Sequence, residues 1–210
     1  MTSIRHHISD DMLDAYRDGS VPHGFGVVIA AHLSLCDQCR ARQEAQDMVG
    51  GAFLQRAEGA SLRPDARERM MAALDLPQPS PPPRASGVFP AAVMRELGGR
   101  PPRWRMLGGG IRQQILSADS DGSLRLLYIP PGKAVPEHGH HGRELTLVLQ
   151  GSFSDSAGSF HRGDVETANA EVDHQPLAGD GPPCICLAAT DAPLRFHALV
   201  PRLLQPIFRI

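Results

Sequence analysis

Three potential metal ligands fall in the short run His32-Leu33-Ser34-Leu35-Cys36-Asp37-Gln38-Cys39. If the apolar stretch Val27-Val28-Ile29-Ala30-Ala31 before it is helical, His32 and Cys36 leave the same helix face, four residues apart. Cys36 and Cys39 form a C-x-x-C knuckle, a loop short enough to bring two thiolates onto one ion. Borderline and soft donors in this arrangement point to zinc. A tetrahedral ion needs a fourth ligand, and the free donors upstream are His6, His7 and His23. The competing reading of C-x-x-C is a thioredoxin-like redox pair, but no strand-helix-strand pattern surrounds it, and the added histidines favour metal.

A second cluster lies in Gly132-Lys133-Ala134-Val135-Pro136-Glu137-His138-Gly139-His140-His141-Gly142-Arg143-Glu144, followed by Gly151. On a strand, His138 and His140 point to one side, and Glu144 returns to that side from the next strand. Two imidazoles and a carboxylate make half a site for zinc, iron, manganese or nickel. By the same alternation His141 points away. His161, at a turn, and His197, in a strand-like segment, read as structural. Cys184 and Cys186 face one way in a strand and read as buried, inert thiols, and Trp104 reads as core.

The elements that must position these residues differ between the two halves. Ser9 is a plausible N-cap for a first helix with Asp10 and Asp11 in its first turn, Met12, Leu13 and Tyr16 as its apolar stripe, and Gly19 as its stop. Pro22 opens a second helix ending near Leu35. A third runs from Asp37 as N-cap to about Gln55 and is loosened at Gly50-Gly51, and a fourth starts at Pro64. Four short helices bury too little surface to be stable alone, so an ion must supply the deficit. Pro77-Gln78-Pro79-Ser80-Pro81-Pro82-Pro83 is an extended spacer. Beyond it, Leu124–Ile129, Leu145–Leu149 and Cys184–Leu187 alternate with Gly and Pro turns, the pattern of an all-β domain. The expected organisation is a zinc-stabilised four-helix bundle over residues 1–76, a proline-rich linker over 77–87, and a metal-binding β-barrel over 88–210.

A formal net charge of −2 leaves no basic surplus to neutralise phosphates, which argues against direct nucleic-acid binding. No apolar run approaches a membrane span, and Met1–His7 lacks the apolar core of a signal peptide. These features place the protein in the cytoplasm, where its four cysteines stay reduced unless they bind metal or sense oxidants.

The pattern His-x-x-x-Cys-x-x-Cys, preceded by His7-Ile8-Ser9-Asp10 and the helix Met12–Tyr16, resembles the zinc-containing anti-sigma domain of bacteria, and within that group the ChrR-type anti-sigma factors. The resemblance runs over nearly the whole chain and implies His7, His32, Cys36 and Cys39 as the zinc ligands. The second cluster resembles the first cupin motif, Gly-x5-His-x-His-x3-Glu-x6-Gly. The second cupin motif departs from its usual form. His161-Arg162-Gly163-Asp164 keeps only the Gly-Asp turn, and the next histidine, His174, comes late, before Pro176. ChrR-type proteins share that late histidine, so the resemblance implies His138, His140, Glu144 and His174 as ligands of zinc or another divalent metal in a cupin-like barrel.

The implied function is to hold an extracytoplasmic-function sigma factor inactive by occlusion, and to release it when singlet oxygen or organic peroxide acts on the cupin half. Val28, Phe53, Leu54 and Met70 are the expected apolar contacts. A disulfide between Cys36 and Cys39, expelling zinc, is a second route to release. No convincing catalytic set is present. The alternative is a cupin-type metal-dependent oxygenase or isomerase with an accessory zinc module, which would require a redox-active metal and an open coordination position.

Overall fold

A computed structural model describes residues 3–77 and 80–196. His197, the last fourteen residues of the expected barrel domain that begin with it, and linker residues Gln78 and Pro79 lie outside the described residues. Among the described residues, five helices precede the strands: α1 (Asp10–Arg17), α2 (His23–Leu33), α3 (Asp37–Arg56), α4 (Ala66–Leu74) and α5 (Ala91–Glu96). The helical region followed by a β domain is the expected order. The fifth helix, placed after the proline-rich stretch, is an addition to it; Pro90 sets its N-terminus and Val93 and Met94 face inward.

The strands among the described residues are β1 (Arg105–Gly108), β2 (Ile111–Asp119), β3 (Gly122–Ile129), β4 (His138–His140), β5 (Glu144–Gln150), β6 (Ser152–Ser154), β7 (Ser159–His161), β8 (Val165–Ala168), β9 (Leu177–Ala178), β10 (Cys184–Thr190) and β11 (Leu194–Phe196). The main sheet has the order β1-β2-β3-β10-β5-β8. β11-β4 and β7-β6-β9 form two smaller sheets. All pairings are antiparallel, and the last strand to join the main sheet, β10, is inserted between β3 and β5.

The period-two alternation of β5 and β10 divides the interior into two cores. Leu145, Leu147 and Leu149 of β5, with Ile185, Leu187 and Ala189 of β10, face one way and pack with Leu13, Val28 and Ile29 of α1 and α2. Val148, Cys184 and Cys186 face the other way, with Phe153, Phe160 and Ala178, into the space between the sheets. Helix α2 therefore lies directly on the outer face of the sheet. Gly24 permits this approach, since a Cβ there would sit 3.3 Å from the Ala189 side chain.

The helices do not pack equally. α1 and α2 share their core with the sheet, whereas Cys39 is the buried residue of α3 and α4 buries none. Sheet burial is thus what stabilises the first two helices, a contribution that the four-helix accounting did not include. Helix α3 begins one residue earlier than its sequence implies, because Cys36 rather than Asp37 occupies the N-cap, its sulfur accepting from Cys39 N–H at 3.4 Å. It continues through Gly50-Gly51 without a break.

Candidate metal centres

The first centre gathers side chains from three segments. His7 sits on an extended stretch ahead of α1, His32 at the C-terminal end of α2, and Cys36 and Cys39 at the start of α3. One ligand atom from each lies within 4.8 Å of every other. His7 Nδ1 is 3.3 Å from Cys36 Sγ and 3.6 Å from Cys39 Sγ. The neighbouring histidines are turned elsewhere. His6 lies against Phe160, ring centroids 4.4 Å apart, and His23 meets Glu96 at 3.2 Å.

His32 carries a specific indication of a cation. It is fully buried, and its Nδ1 lies 2.9 Å from the Gly163 carbonyl, so Nδ1 bears the proton and donates it. Its Nε2 is then a buried lone pair with no hydrogen-bond partner. Burial pushes its pKa down to about 4, so the imidazole is neutral, the form that binds metal. Burial also raises the Cys39 thiol, with the nearby Cys36 sulfur adding to the effect. Two thiols, a neutral imidazole with an orphaned nitrogen and a second imidazole fit a zinc-like ion that converts the thiols to thiolates. Arg42 braces this group, donating to the Ile8 carbonyl at 3.2 Å and pairing with Asp10.

The second centre lies in the barrel. His138 and His140 are the two ends of β4, and His174 is held opposite His138 by a reciprocal pair of backbone hydrogen bonds of 3.1 and 3.0 Å. All three imidazoles are buried. His174 Nε2 is 3.2 Å from the Nε2 of both His138 and His140. His138 donates from Nδ1 to the Pro136 carbonyl at 2.8 Å, and His174 from Nδ1 to Asp155 at 2.7 Å and Glu166 at 3.1 Å. His138 Nε2 is therefore a lone pair turned toward His174 Nε2 across 3.2 Å, an arrangement that suits a cation between them once His174 gives up its second proton. Burial opposes a charge on His174, but the hydrogen bond and charge of Glu166, with Asp155, push its pKa up to about 9, so that without an ion the ring is protonated and a cation held at Nε2 would have to displace that proton.

Glu144 stands beside this triad rather than within it. Its Oε2 is 3.5 Å from His140 Nδ1 and its Oε1 accepts from the Thr146 hydroxyl at 2.7 Å. His141 is exposed, as alternation predicts. Cys184 and Cys186 are buried free thiols with their sulfurs 3.4 Å apart. Trp104 packs edge-on against Tyr128 at the core margin.

Sequence reasoning did not find the residues behind the ligands. Asp155 and Glu166 lie 19 and 8 residues before His174, at spacings that match no ligand motif. Asp164 was visible only as the end of the degenerate Gly-Asp turn. Burial would raise its carboxyl, but the backbone N–H groups of Arg5, His6 and His161 outweigh that and hold it below the ordinary range.

A model of the ChrR cupin-like domain matches residues 101–192. The chain is 50% identical to the anti-sigma-E factor ChrR of Cereibacter sphaeroides, over 99% of its own length and 100% of that protein's. It belongs to the ChrR family of anti-sigma factors. The crystal structure of Rhodobacter sphaeroides SigE in complex with the anti-sigma ChrR matches with a TM-score of 0.80 at 47% identity, covering 90% of this chain and 100% of that one. Membership in a family of regulators sets aside the oxygenase or isomerase alternative. For a ChrR-family chain the two clusters are candidate metal centres, one of mixed sulfur and nitrogen donors and one of imidazoles.

Proposed function

We propose that this protein binds an extracytoplasmic-function sigma factor in the cytoplasm, keeps it from the transcription machinery, and releases it under oxidative stress. The observation that carries the binding half is the distribution of exposed apolar side chains. Met48, Val49, Phe53 and Leu54 of α3 and Met70 and Leu74 of α4 are all more than half exposed. Val49 with Phe53, and Met70 with Leu74, are spaced one helical turn apart, so each pair forms a continuous apolar strip. A surface of this kind calls for a protein partner, and the homologous ChrR crystallised with SigE supports its identity. Phe53, Leu54 and Met70 fit the expected contact role. Val28 does not, because it is fully buried against the sheet.

The labour divides between residues 1–76, which grip the sigma factor, and residues 88–210, which report chemistry. Zinc held by His7, His32, Cys36 and Cys39 fixes the start of α3 against the N-terminal segment, so less ordering is required on binding. In the barrel, His138, His140 and His174 hold a divalent ion, and Glu144, which lies beside His140, serves as the fourth donor once its carboxylate turns in toward the triad. Oxidation of these ligands by singlet oxygen or organic peroxide alters the barrel and leads to release.

Co-expression of the full chain with candidate extracytoplasmic-function sigma factors tests this reading. The expected result is a stable complex with one of them, containing metal at both centres, that falls apart on exposure to the oxidant. Failure of every such sigma factor to co-purify would refute it.

A further inference from the structure

The two candidate centres meet at one short stretch of chain, the turn Gly163-Asp164 and the strand β8 that follows. On the side of the first centre, the Gly163 carbonyl accepts from His32 Nδ1 at 2.9 Å and fixes which ring nitrogen faces the thiols. Asp164 Oδ1 accepts from the backbone N–H of Arg5 at 2.6 Å and of His6 at 3.0 Å, and Val165 N–H donates to the His6 carbonyl at 3.2 Å. Four bonds from three consecutive residues of the barrel thus hold the segment that carries His7 and the helix end that carries His32. The approach is close: Gly163 has φ +95°, and a Cβ there would meet the Ile4 side chain at 2.6 Å. Two residues beyond Asp164, Glu166 of β8 reaches to the other side and contacts His174 Nδ1 at 3.1 Å.

Asp164 is nearly inaccessible, at 1% exposure, although it forms no part of either ligand set. A buried carboxylate occupied by three backbone N–H groups is a fixed support. It connects the N-terminal strand-like segment to the turn and, through the His161 N–H at 2.8 Å, to β7. Groups that orient metal ligands from behind typically carry about 10–100-fold of metal affinity. Here a single element supplies such groups to both sites.

We propose that Gly163, Asp164 and Glu166 act as one positioning element shared by the two metal centres, so that disturbing a ligand contact in the barrel loosens the ion at the His7, His32, Cys36 and Cys39 site. This rests on the reading that both clusters hold metal, and it gives barrel chemistry a physical route to the helical clasp. The coupling is reciprocal, since two equilibria linked through one element shift each other equally.

The test uses the full-length protein loaded with cobalt(II). Of the two candidate centres only the first has cysteines among its ligands, so the thiolate-to-cobalt charge-transfer band reports that centre, and total cobalt per chain then gives the barrel. Loss of the band to a competing chelator is followed in wild type, Asp164→Ala, Asp164→Asn and Glu166→Leu, with far-UV circular dichroism as the check of folding. Asp164→Ala is expected to lose cobalt from the thiolate site about 10–100-fold faster. Asp164→Asn should fall between it and wild type, because one amide oxygen can still accept from Arg5 and His6 while the amide nitrogen cannot accept from His161. Glu166→Leu, changed only at the barrel end, should still speed loss of the thiolate band several-fold.

A wild-type rate in Glu166→Leu overturns the coupling, and a wild-type rate in folded Asp164→Asn and Asp164→Ala overturns the positioning role. Should Asp164→Ala fail to fold, the Asn and Leu variants decide. Absence of a charge-transfer band from wild type would instead overturn the metal reading of the first cluster, and the proposal with it.

Discussion

The two centres solve opposite problems with related chemistry. In the barrel, His138 and His140 are placed by a strand and His174 by hydrogen bonds to that strand, within a scaffold already fixed by the sheet and its two apolar faces. At the helical end, the four donors come from an extended segment, a helix C-terminus and a helix N-terminus. There, on the proposed reading, an ion would itself be part of what positions the chain. Removing metal should therefore cost structure at one centre and mainly response at the other.

The largest effect is expected from removing the ligands of the first centre. Structural zinc contributes on the order of 10 kcal/mol in small domains. Cys36→Ser combined with Cys39→Ser is therefore expected to unfasten α3 from the segment ahead of α1, with sigma affinity falling at least about 100-fold. Binding titration together with proteolysis of the α2–α3 junction checks it. His138→Ala with His140→Ala should behave differently. The sheet should persist by circular dichroism and resting sigma affinity should stay within about threefold, while oxidant-triggered release is lost. If both double variants abolish binding equally, the distinction between the centres fails.

Next in size is the apolar strip, which tests whether the clasp grips through side chains that do nothing else. Phe53 and Leu54 are 70% and 76% exposed, so truncating them costs the free protein little. Phe53→Ala with Leu54→Ala is expected to weaken sigma binding by about 2–4 kcal/mol, the scale of central interface residues. Metal content and melting temperature should be unchanged. Val28→Ala reverses the pattern, because its cost, roughly 1–3 kcal/mol, falls on stability through a cavity against the sheet. Calorimetry of the free protein beside binding titration separates the two.

The contrast between the centres also explains what was legible in the sequence. His32, Cys36 and Cys39 announce themselves because helix and knuckle geometry are local, and His138 and His140 because a strand repeats every second residue. The choice among His6, His7 and His23 was not local. It is made by Phe160 and Asp164, which hold His6 against the barrel and turn His7 toward the thiols. Likewise β8 and the loop carrying Asp155 bring two carboxylates to His174 through sheet topology, which leaves no spacing to read. The helices showed the same limit. Their boundaries follow caps and stop signals, but that α1 and α2 lie on the sheet while α4 buries nothing depends on the leucines of β3, β5 and β10. Short helix α5 escaped because six residues after a proline-rich stretch carry too little periodicity.

The buried and exposed helices also differ in what surrounds their glycines. Gly50 and Gly51 lie inside α3 with open space around them, whereas Gly24 of α2 is pressed against the sheet. An exposed helical glycine replaced by alanine gains about 0.5–1 kcal/mol, chiefly from the lost freedom of the unfolded chain. Gly50→Ala should therefore stiffen the distal half of α3 without touching either metal centre. Since that half carries Phe53 and Leu54, the pre-ordered helix should bind the sigma factor up to about fivefold more tightly, less ordering being required on docking. Gly24→Ala has the same intrinsic helix gain, but its new methyl would have to displace Ala189, so the net change in stability should be lower than at Gly50. A fall in sigma affinity on Gly50→Ala would mean that α3 must bend at the glycine pair to grip its partner, and that the exposed strip is not held ready in the free protein.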